Sequence, residues 1–152
     1  MYETAWWLMD DGQLPSAPVN LRRTLLRHRP PQPLTIKQIT TDDPLYVAER
    51  ELRNRVLLRP LGLPDGAWEM HDAAAHHFVA LAGERLVGCA LLVPDGKDGT
   101  RARLIQMAVD PGVQGQGVGK GLIQELLRYA AAAGFHEVHC HSRTYAKAFY
   151  HK

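Results

Sequence analysis

The sequence predicts a mixed α/β (α+β) fold, in which one central sheet carries helices on both of its faces. Short apolar stretches with the alternation of β-strands follow one another between residues 77 and 110. Amphipathic helical patterns lie before and after these stretches. The resulting order of strand, helix, loop, three strands, helix, strand and helix is typical of a sheet covered by helices. A chain of 152 residues is long enough for one domain with a single core.

The regular pattern begins at Leu34 with an alternating strand over residues 34–39. Residues 41–44 then supply a helix cap and a first-turn proline. An apolar stripe at spacings of three and four follows on one helix face, formed by Leu45, Ala48, Leu52 and Val56. Polar residues occupy the other face, namely Glu49, Arg50, Arg53 and Asn54. Prolines and glycines between residues 60 and 66 predict a loop after this helix.

The second half of the chain predicts a hairpin, two further strands and a long helix. We place its strands at 77–81, 86–93, 103–110 and 137–142. The long helix begins at Gly117 or Val118, and Gly134 stands where a left-handed C-terminal cap belongs. Residues 144–151 predict one or two final helical turns.

Residues 1–33 predict an N-terminal extension, and residues 34–152 the folded domain. Prolines interrupt the extension, so only residues 19–29 can form a helix. Trp6 and Trp7 are expected to pack on the domain or on a partner subunit, because an exposed pair would form a sticky patch. The basic cluster within residues 22–29 predicts a solvated face rather than a polyanion site.

Composition narrows the classes of partner. A formal net charge of +2 does not support a nucleic-acid-binding protein. No apolar run reaches the roughly 20 residues of a membrane span, and the N-terminus lacks the form of a signal peptide. These features predict a cytoplasmic protein with no nucleic-acid or membrane partner. Cys89 and Cys140 lie in strand-like stretches and are predicted to be buried free thiols.

A glycine-rich turn, residues 114–119, joins a strand to the long helix. A helix N-terminus presents unpaired amides with a partial positive charge, and glycines at 115, 117 and 119 allow an anion to approach them. A Walker loop would need glycine at position 114 and serine or threonine at 121, where the chain has Gln114 and Gly121. The dinucleotide fingerprint fails as well, because it requires glycine where Lys120 or Leu122 stands.

The spacing Gln114, Gly117, Gly119 after the strand segment 107–111 resembles that of the GNAT N-acetyltransferase superfamily. The resemblance extends over roughly residues 34–150 in element order, and the ending at 146–150 supports it. The segment 52–77 is faintly similar to the ElaA-like branch, which also has an acidic and histidine-bearing loop there.

The resemblance implies transfer of an acetyl group from acetyl-CoA to a primary amine of a small molecule or peptide, by direct attack. It also implies that backbone groups of the strand before the turn hold the pantetheine arm and that amides of the turn hold the pyrophosphate. The implied cofactor-binding residues are Met107, Ala108, Val109, Gln114, Gly115, Gln116, Gly117, Val118, Gly119, Lys120, Arg143 and Ala146. Arg143 stands where relatives often have an asparagine that contacts the pantetheine.

The catalytic groups are less clearly marked. Tyr150 matches the tyrosine that relatives place beside the leaving thiolate. The segment 104–107 lacks the carboxylate that many relatives use as a base, so His139 and His141, on one face of their strand, become candidates. Two histidines form only half of a metal site, and no metal is expected. Glu69, His71 and Asp72 lie in the loop that usually borders the acceptor pocket.

Relatives continue beyond Tyr150 with two more strands, whereas this sequence stops at Lys152. Without them the strand at 137–142 would expose an edge, which predicts either a truncated sequence, the favoured reading, or completion by a partner subunit in a homodimer. Two other functions stay open. A non-catalytic acyl-CoA-binding regulatory module would bind acetyl-CoA without turnover, and a basic interaction protein would bind nucleic acid in a salt-dependent way.

Overall fold

The computed structural model describes residues 2–8 and 33–143, with side chains over 33–140. Six strands lie in these ranges: β1 (Tyr2–Leu8), β2 (Leu34–Ile39), β3 (His76–Ala82), β4 (Arg85–Asp95), β5 (Arg101–Val109) and β6 (Glu137–Arg143). Two α-helices accompany them, α1 (Leu45–Arg53) and α2 (Val118–Ala132). Each strand and helix predicted between residues 34 and 142 is present, whereas the helical turns predicted at 144–151 lie outside the described residues.

The strands form one mixed sheet in the order β1-β6-β5-β4-β3-β2. Only β5 and β6 pair in parallel, and the other neighbours are antiparallel. Helix α2 packs on one face, against buried residues such as Ala80 and Leu92, and Leu52 of α1 packs with Val79 and Cys89 on the other. The predicted architecture of a mixed sheet with helices on both faces is therefore confirmed.

Helix α1 places its predicted apolar stripe against the sheet, where Leu52 is only 1% exposed. The Asp43 carboxylate accepts a hydrogen bond from the Leu45 amide at 2.9 Å and so caps the first turn. The chain continues through a π-turn (Asn54–Leu58) and a 3-10 turn (Arg59–Leu61), and ends at Gly62 with φ of +74°. The face that the sequence marks as polar is partly buried as well, since Glu49, Arg53 and Asn54 all lie inside the protein.

Helix α2 forms a hydrophobic core with the face of the sheet that it covers. Its buried residues are Val118, Leu122, Ile123, Leu126, Leu127 and Ala130. Gly134 takes the left-handed conformation with φ of +94°, and the Phe135 amide donates to the Ala130 carbonyl at 3.0 Å, which confirms the predicted cap. The helix lies close to the sheet over Gly88, where an added Cβ would lie 2.8 Å from Val118 Cγ1.

The N-terminal segment contains a strand that was not predicted. Residues Tyr2–Leu8 form β1, which pairs antiparallel with β6 from Tyr2↔Arg143 to Leu8↔Glu137. The edge of β6 that was expected to be exposed is thus covered by the chain's own N-terminal strand. Trp6 and Trp7 belong to β1, but their side chains, like the predicted helix at 19–29 and the basic cluster, lie outside the described residues.

Both cysteines, Cys89 and Cys140, are buried and no disulfide joins them, as predicted. Among the described residues, no helix has the length and apolar character needed to cross a membrane.

Candidate active site

The sheet opens between its two parallel strands. β5 and β6 pair at Arg101↔Glu137, Ala102↔Val138 and Arg103↔His139. Both strands then continue, β5 to Val109 and β6 to Arg143, without a further pair between their described residues. The backbone edge of β5 beyond Arg103 therefore faces a gap, and this gap leads towards the glycine-rich turn at the end of the strand.

A β-bulge lies in β5 beside this gap. Cys89 of β4 pairs with Ala108, and Leu91 pairs with Ile105, so that Gln106 and Met107 together stand opposite the single residue Ala90. Gln106 has φ of +51°, the one positive φ of a non-glycine residue in the described part of the chain. This left-handed conformation costs a side-chain-bearing residue about 1–2 kcal/mol, so other contacts must hold it.

The bulge also redirects the Gln106 side chain. Ala102 and Leu104 pack on the α2 face of the sheet, and plain alternation would turn Gln106 to that face as well. Instead its Oε1 accepts a hydrogen bond from Arg53 Nη1 of α1 at 2.9 Å, and its Nε2 donates to the Trp68 carbonyl at 2.8 Å. Gln106 was missed as a functional candidate; its signal in the sequence was a polar residue at a position that alternation assigns to the core.

The turn after β5 is preorganised by its own backbone. The Asp110 carboxylate accepts from the Gly112 amide at 2.9 Å and caps a 3-10 turn, Pro111–Val113. Gly115 and Gly117 follow with φ of +85° and +84°, and an added Cβ at either would meet no atom of the described residues within 4 Å. The glycines therefore leave open space in front of the turn.

The N-terminus of α2 is suited to an anion. Its N-cap residue is Gly117, no side chain caps it, and its first turn has no acidic residue. The first amides of the helix have no partners within it, and the helix dipole adds partial positive charge there. Within the described residues, Lys120 Nζ is buried and has no hydrogen-bond partner. Gln114 is anchored instead, because its Nε2 donates to the Val109 carbonyl at 3.2 Å.

Two arginines flank the start of the turn. Arg85 and Arg55 donate to Asp110 Oδ2 at 2.9 Å and 3.3 Å. The hydrogen bond from the Gly112 amide, together with these guanidinium groups, lowers the pKa of Asp110. The carboxylate is thus ionised and fixes the entry to the turn.

A buried ionic cluster connects α1 to the loop 62–75. Arg53, which is 2% exposed, donates from Nη1 and Nη2 to the two carboxylate oxygens of Asp72 at 2.9 Å and 2.6 Å. Tyr46 donates to the same carboxylate at 2.5 Å. Burial acts to raise the pKa of Asp72, but the hydrogen bonds from Arg53 and Tyr46 outweigh it and lower that pKa. Breaking such a buried pair typically costs about 3–5 kcal/mol.

His77 completes this cluster. Its Nδ1 lies 2.9 Å from Glu49 Oε1, and its Nε2 lies 2.8 Å from the Asp72 carbonyl oxygen. Since an ionised carboxylate and a carbonyl can only accept, both ring nitrogens donate and the imidazole is cationic. Burial opposes the charge, but these hydrogen bonds prevail and raise the pKa of His77.

The residues predicted for the acceptor side have different surroundings. Glu69 pairs with Arg50 at 3.0 Å, and His71 is exposed. Asp72 is buried, and its two oxygens are held by Arg53 and Tyr46, which favours a role in fixing the loop over direct contact with an acceptor.

His139 lies at the closed end of the gap. Its strand neighbours Val138 and Cys140 face the core beneath α2, so His139 points to the opposite face, where its Nε2 contacts the Asp95 carboxylate. Asp95 was not anticipated from the sequence. His141 and Arg143 belong to β6, but their side chains lie outside the described residues, and Ala146 and Tyr150 lie outside entirely.

Comparison with solved structures gives a consistent picture of the fold. An aminoglycoside acetyltransferase from an uncultured soil metagenomic sample, in complex with trehalose, is 26% identical with a TM-score of 0.62, over 77% of this chain and 84% of that one. A Trypanosoma brucei acetyltransferase is 26% identical with a TM-score of 0.58, over 78% and 89%. Escherichia coli ElaA matches with a TM-score of 0.66 over 77% and 83%; at 15% identity this likeness concerns the fold alone.

Two comparisons at the level of sequence give different results. A search of curated protein sequences finds no significant match. The model of the acetyltransferase (GNAT) family, by contrast, matches residues 35–152, which includes the bulged strand, the glycine-rich turn and helix α2. The chain therefore belongs to the acetyltransferase (GNAT) family.

Proposed function

We propose that this protein transfers an acetyl group from acetyl-CoA to a primary amine of a small molecule or peptide. The observation that carries the proposal is the gap between β5 and β6, which begins beyond the Arg103↔His139 pair and leads to the glycine-rich turn. A strand edge that faces a gap can hydrogen-bond an extended amide-containing arm, and the turn at its end can bind phosphate groups. Coenzyme A carries both.

The residues of the turn fit the anionic part of the cofactor. The open space before Gly115 and Gly117 admits a pyrophosphate to the amides at the start of α2. The buried Lys120 Nζ, which has no hydrogen-bond partner among the described residues, supplies a positive charge close to the same helix end. A solved neighbour with the same fold, an aminoglycoside 6'-N-acetyltransferase, is complexed with coenzyme A, in keeping with this assignment.

Acetyl-CoA supplies the acetyl group as a thioester: the amine nitrogen bonds to the carbonyl carbon, the carbon–sulfur bond breaks, and the thiolate takes up a proton. The protein must remove a proton from the amine, because an alkyl ammonium with a pKa near about 10.4 is almost wholly protonated at neutral pH. His139 is the proposed base. Asp95 accepts a hydrogen bond from its Nε2 and thereby orients the ring.

Further residues are proposed for the acid, for a second base and for the acceptor side of the site. Tyr150 and His141 stay candidates for the acid at the thiolate and for a second base. Glu69 and His71 are proposed to border the acceptor, with Asp72 fixing their loop. The soil-sample acetyltransferase has also been crystallised with sisomicin, an aminoglycoside with several primary amines, so aminoglycosides belong in the first panel of acceptors.

The test is thiol release from acetyl-CoA across a panel of aminoglycosides, polyamines and peptide amines, together with calorimetric titration of coenzyme A. We expect binding of coenzyme A and turnover with at least one amine. Binding without turnover on any amine would identify a regulatory module instead, and absence of binding would refute the cofactor assignment. For the base, His139→Gln should lower kcat by about 10²-fold at neutral pH without changing the affinity for coenzyme A.

A further inference from the structure

We infer that Gln106 is a positioning residue: its side chain, clamped by Arg53 and the Trp68 carbonyl, holds the β5 bulge in the geometry that acetyl transfer requires. The inference rests on the proposed function, because it concerns the strand edge along which the thioester would lie. The Gln106 side chain would also link this strand edge to the loop 62–75, which is proposed to border the acceptor.

Gln106 has φ of +51° although it is not glycine, so its backbone does not adopt this state by preference. The register shift between Cys89 and Leu91 fixes the position of the bulge, and it leaves Gln106 and Met107 opposite the single residue Ala90. A conformation of this kind persists only where the surroundings determine it.

The Gln106 side chain forms the hydrogen bonds that fix this conformation. Both ends of the side-chain amide are engaged, Oε1 as acceptor from Arg53 Nη1 at 2.9 Å and Nε2 as donor to the Trp68 carbonyl at 2.8 Å. Arg53 cannot move freely, because its guanidinium also holds both oxygens of Asp72. The Gln106 side chain is therefore tied to an immobile buried cation on one side and to the loop 62–75 on the other.

The bulge lies beside the gap between β5 and β6, and the orientation of its peptide groups sets where a thioester could meet them. A displacement of about 1 Å in such a site can lower the rate on the order of 10²-fold without removing any group that binds the cofactor. The glycine-rich turn begins beyond Asp110. The two side-chain hydrogen bonds of Gln106 go to Arg53 and to Trp68, and neither reaches this turn.

Three variants separate positioning from other roles. Gln106→Leu keeps the side-chain size and removes both hydrogen bonds. Gln106→Gly also removes them, but glycine adopts a positive φ without strain. Asn54→Leu is the matched control, because Asn54 Oδ1 accepts a hydrogen bond from the Gly66 amide of the same loop at 2.9 Å, whereas the Gln106 side chain bonds to Arg53 and Trp68 instead.

We expect Gln106→Leu to lower kcat by about 10-fold to 100-fold, with KM for acetyl-CoA and Kd for coenzyme A within about threefold of wild type. Gln106→Gly should regain most of the rate, and Asn54→Leu should retain it. Equal loss in the Leu and Gly variants would mean that the amide itself acts on the substrate, and would overturn the inference. Equal loss in Gln106→Leu and Asn54→Leu, or no loss in Gln106→Leu, would overturn it too.

If the wild-type protein turns over no amine, the proposed function fails, and this outcome is independent of the role of Gln106. The clamp is then read from amide hydrogen exchange over residues 104–109, with thermal unfolding as the check on folding. Exchange should accelerate in Gln106→Leu and not in Asn54→Leu. Identical exchange in the two variants would refute the clamp without reference to activity.

Discussion

The cationic state of His77 makes the stability of the fold depend on pH in a defined window. Both ring nitrogens donate, to Glu49 and to the Asp72 carbonyl, and the pKa of His77 is raised in the folded protein. The unfolded chain has an ordinary histidine pKa of about 6.5. The stabilisation is therefore complete below about pH 6.5 and is lost as the pH rises through the folded pKa.

The slope of this loss follows from the proton count. One proton bound by the folded state and not by the unfolded state changes the free energy of unfolding by up to about 1.4 kcal/mol per pH unit. The charges that face His77 are Glu49 and Asp72, with Arg53 paired to both carboxylates and the Tyr46 ring packed edge-on. Tyr46 does not titrate in this window, since burial and the hydrogen bond to Asp72 raise its pKa to about 12.

The pKa of His76 is shifted in the opposite direction and affects stability over a different pH range. Burial and the neighbouring His77 charge lower its pKa, so its contribution to the pH dependence falls below about pH 6.5. Above that value His77 is the histidine with a raised pKa within the described residues. The two histidines can therefore be distinguished by pH range alone.

The assay is urea unfolding of the wild type and of His77→Gln from pH 6 to pH 9. The wild type should lose stability through this range, whereas His77→Gln, which cannot titrate, should be less stable at pH 6.5 and show a flatter profile. His76→Gln is the matched control and should keep the wild-type slope above pH 6.5. A slope that His77→Gln leaves unchanged would refute the cationic assignment.

Three further predictions concern the cofactor side. Gly88→Ala should cost about 1–3 kcal/mol of stability and weaken coenzyme A binding, because its Cβ would press on Val118 at the start of α2; Gly121→Ala, whose nearest contacts would be side-chain carbons of Ile36 and Leu34, should do neither. Gly117→Glu should abolish coenzyme A binding measured by calorimetry while circular dichroism shows a folded protein, since a carboxylate would stand where the pyrophosphate belongs. Equal affinity would refute that placement. Tyr150→Phe should lower kcat by about 10²-fold and leave KM for acetyl-CoA in place, and an unchanged kcat would make Tyr150 a packing residue.

The sequence predicts those parts of the fold that depend on local chemistry. Alternating apolar residues and a 3.6-residue stripe place the strands and helices between residues 34 and 142, and Gly134 correctly marks the end of α2. The glycine-rich turn is predicted for the same reason, because glycine at 115 and 117 has a direct conformational meaning. These are features in which a few consecutive residues suffice.

The remainder depends on contacts between distant segments. β1 was not predicted, because its partner, β6, lies more than 120 residues away in the chain and pairing of this kind leaves no local pattern. The buried charges of α1 were read as a polar helix face for a related reason. Glu49 and Arg53 are i and i+4 residues that would suit a solvated surface, and only Asp72 and His77 from a later segment turn them into a buried cluster.

The same cluster joins the two halves of the proposed site. Arg53 binds the loop 62–75 through Asp72 and the cofactor-side strand through Gln106, and Gln106 in turn binds the loop through the Trp68 carbonyl. A change in the loop that suits a different acceptor would therefore also act on the bulge, unless it preserved Asp72 and the path of the backbone at Trp68. In the proposed function, acceptor choice and thioester position would thus be coupled through Arg53, whereas the glycine-rich turn is anchored by a separate set of hydrogen bonds, those of Asp110 with Arg55, Arg85 and the Gly112 amide.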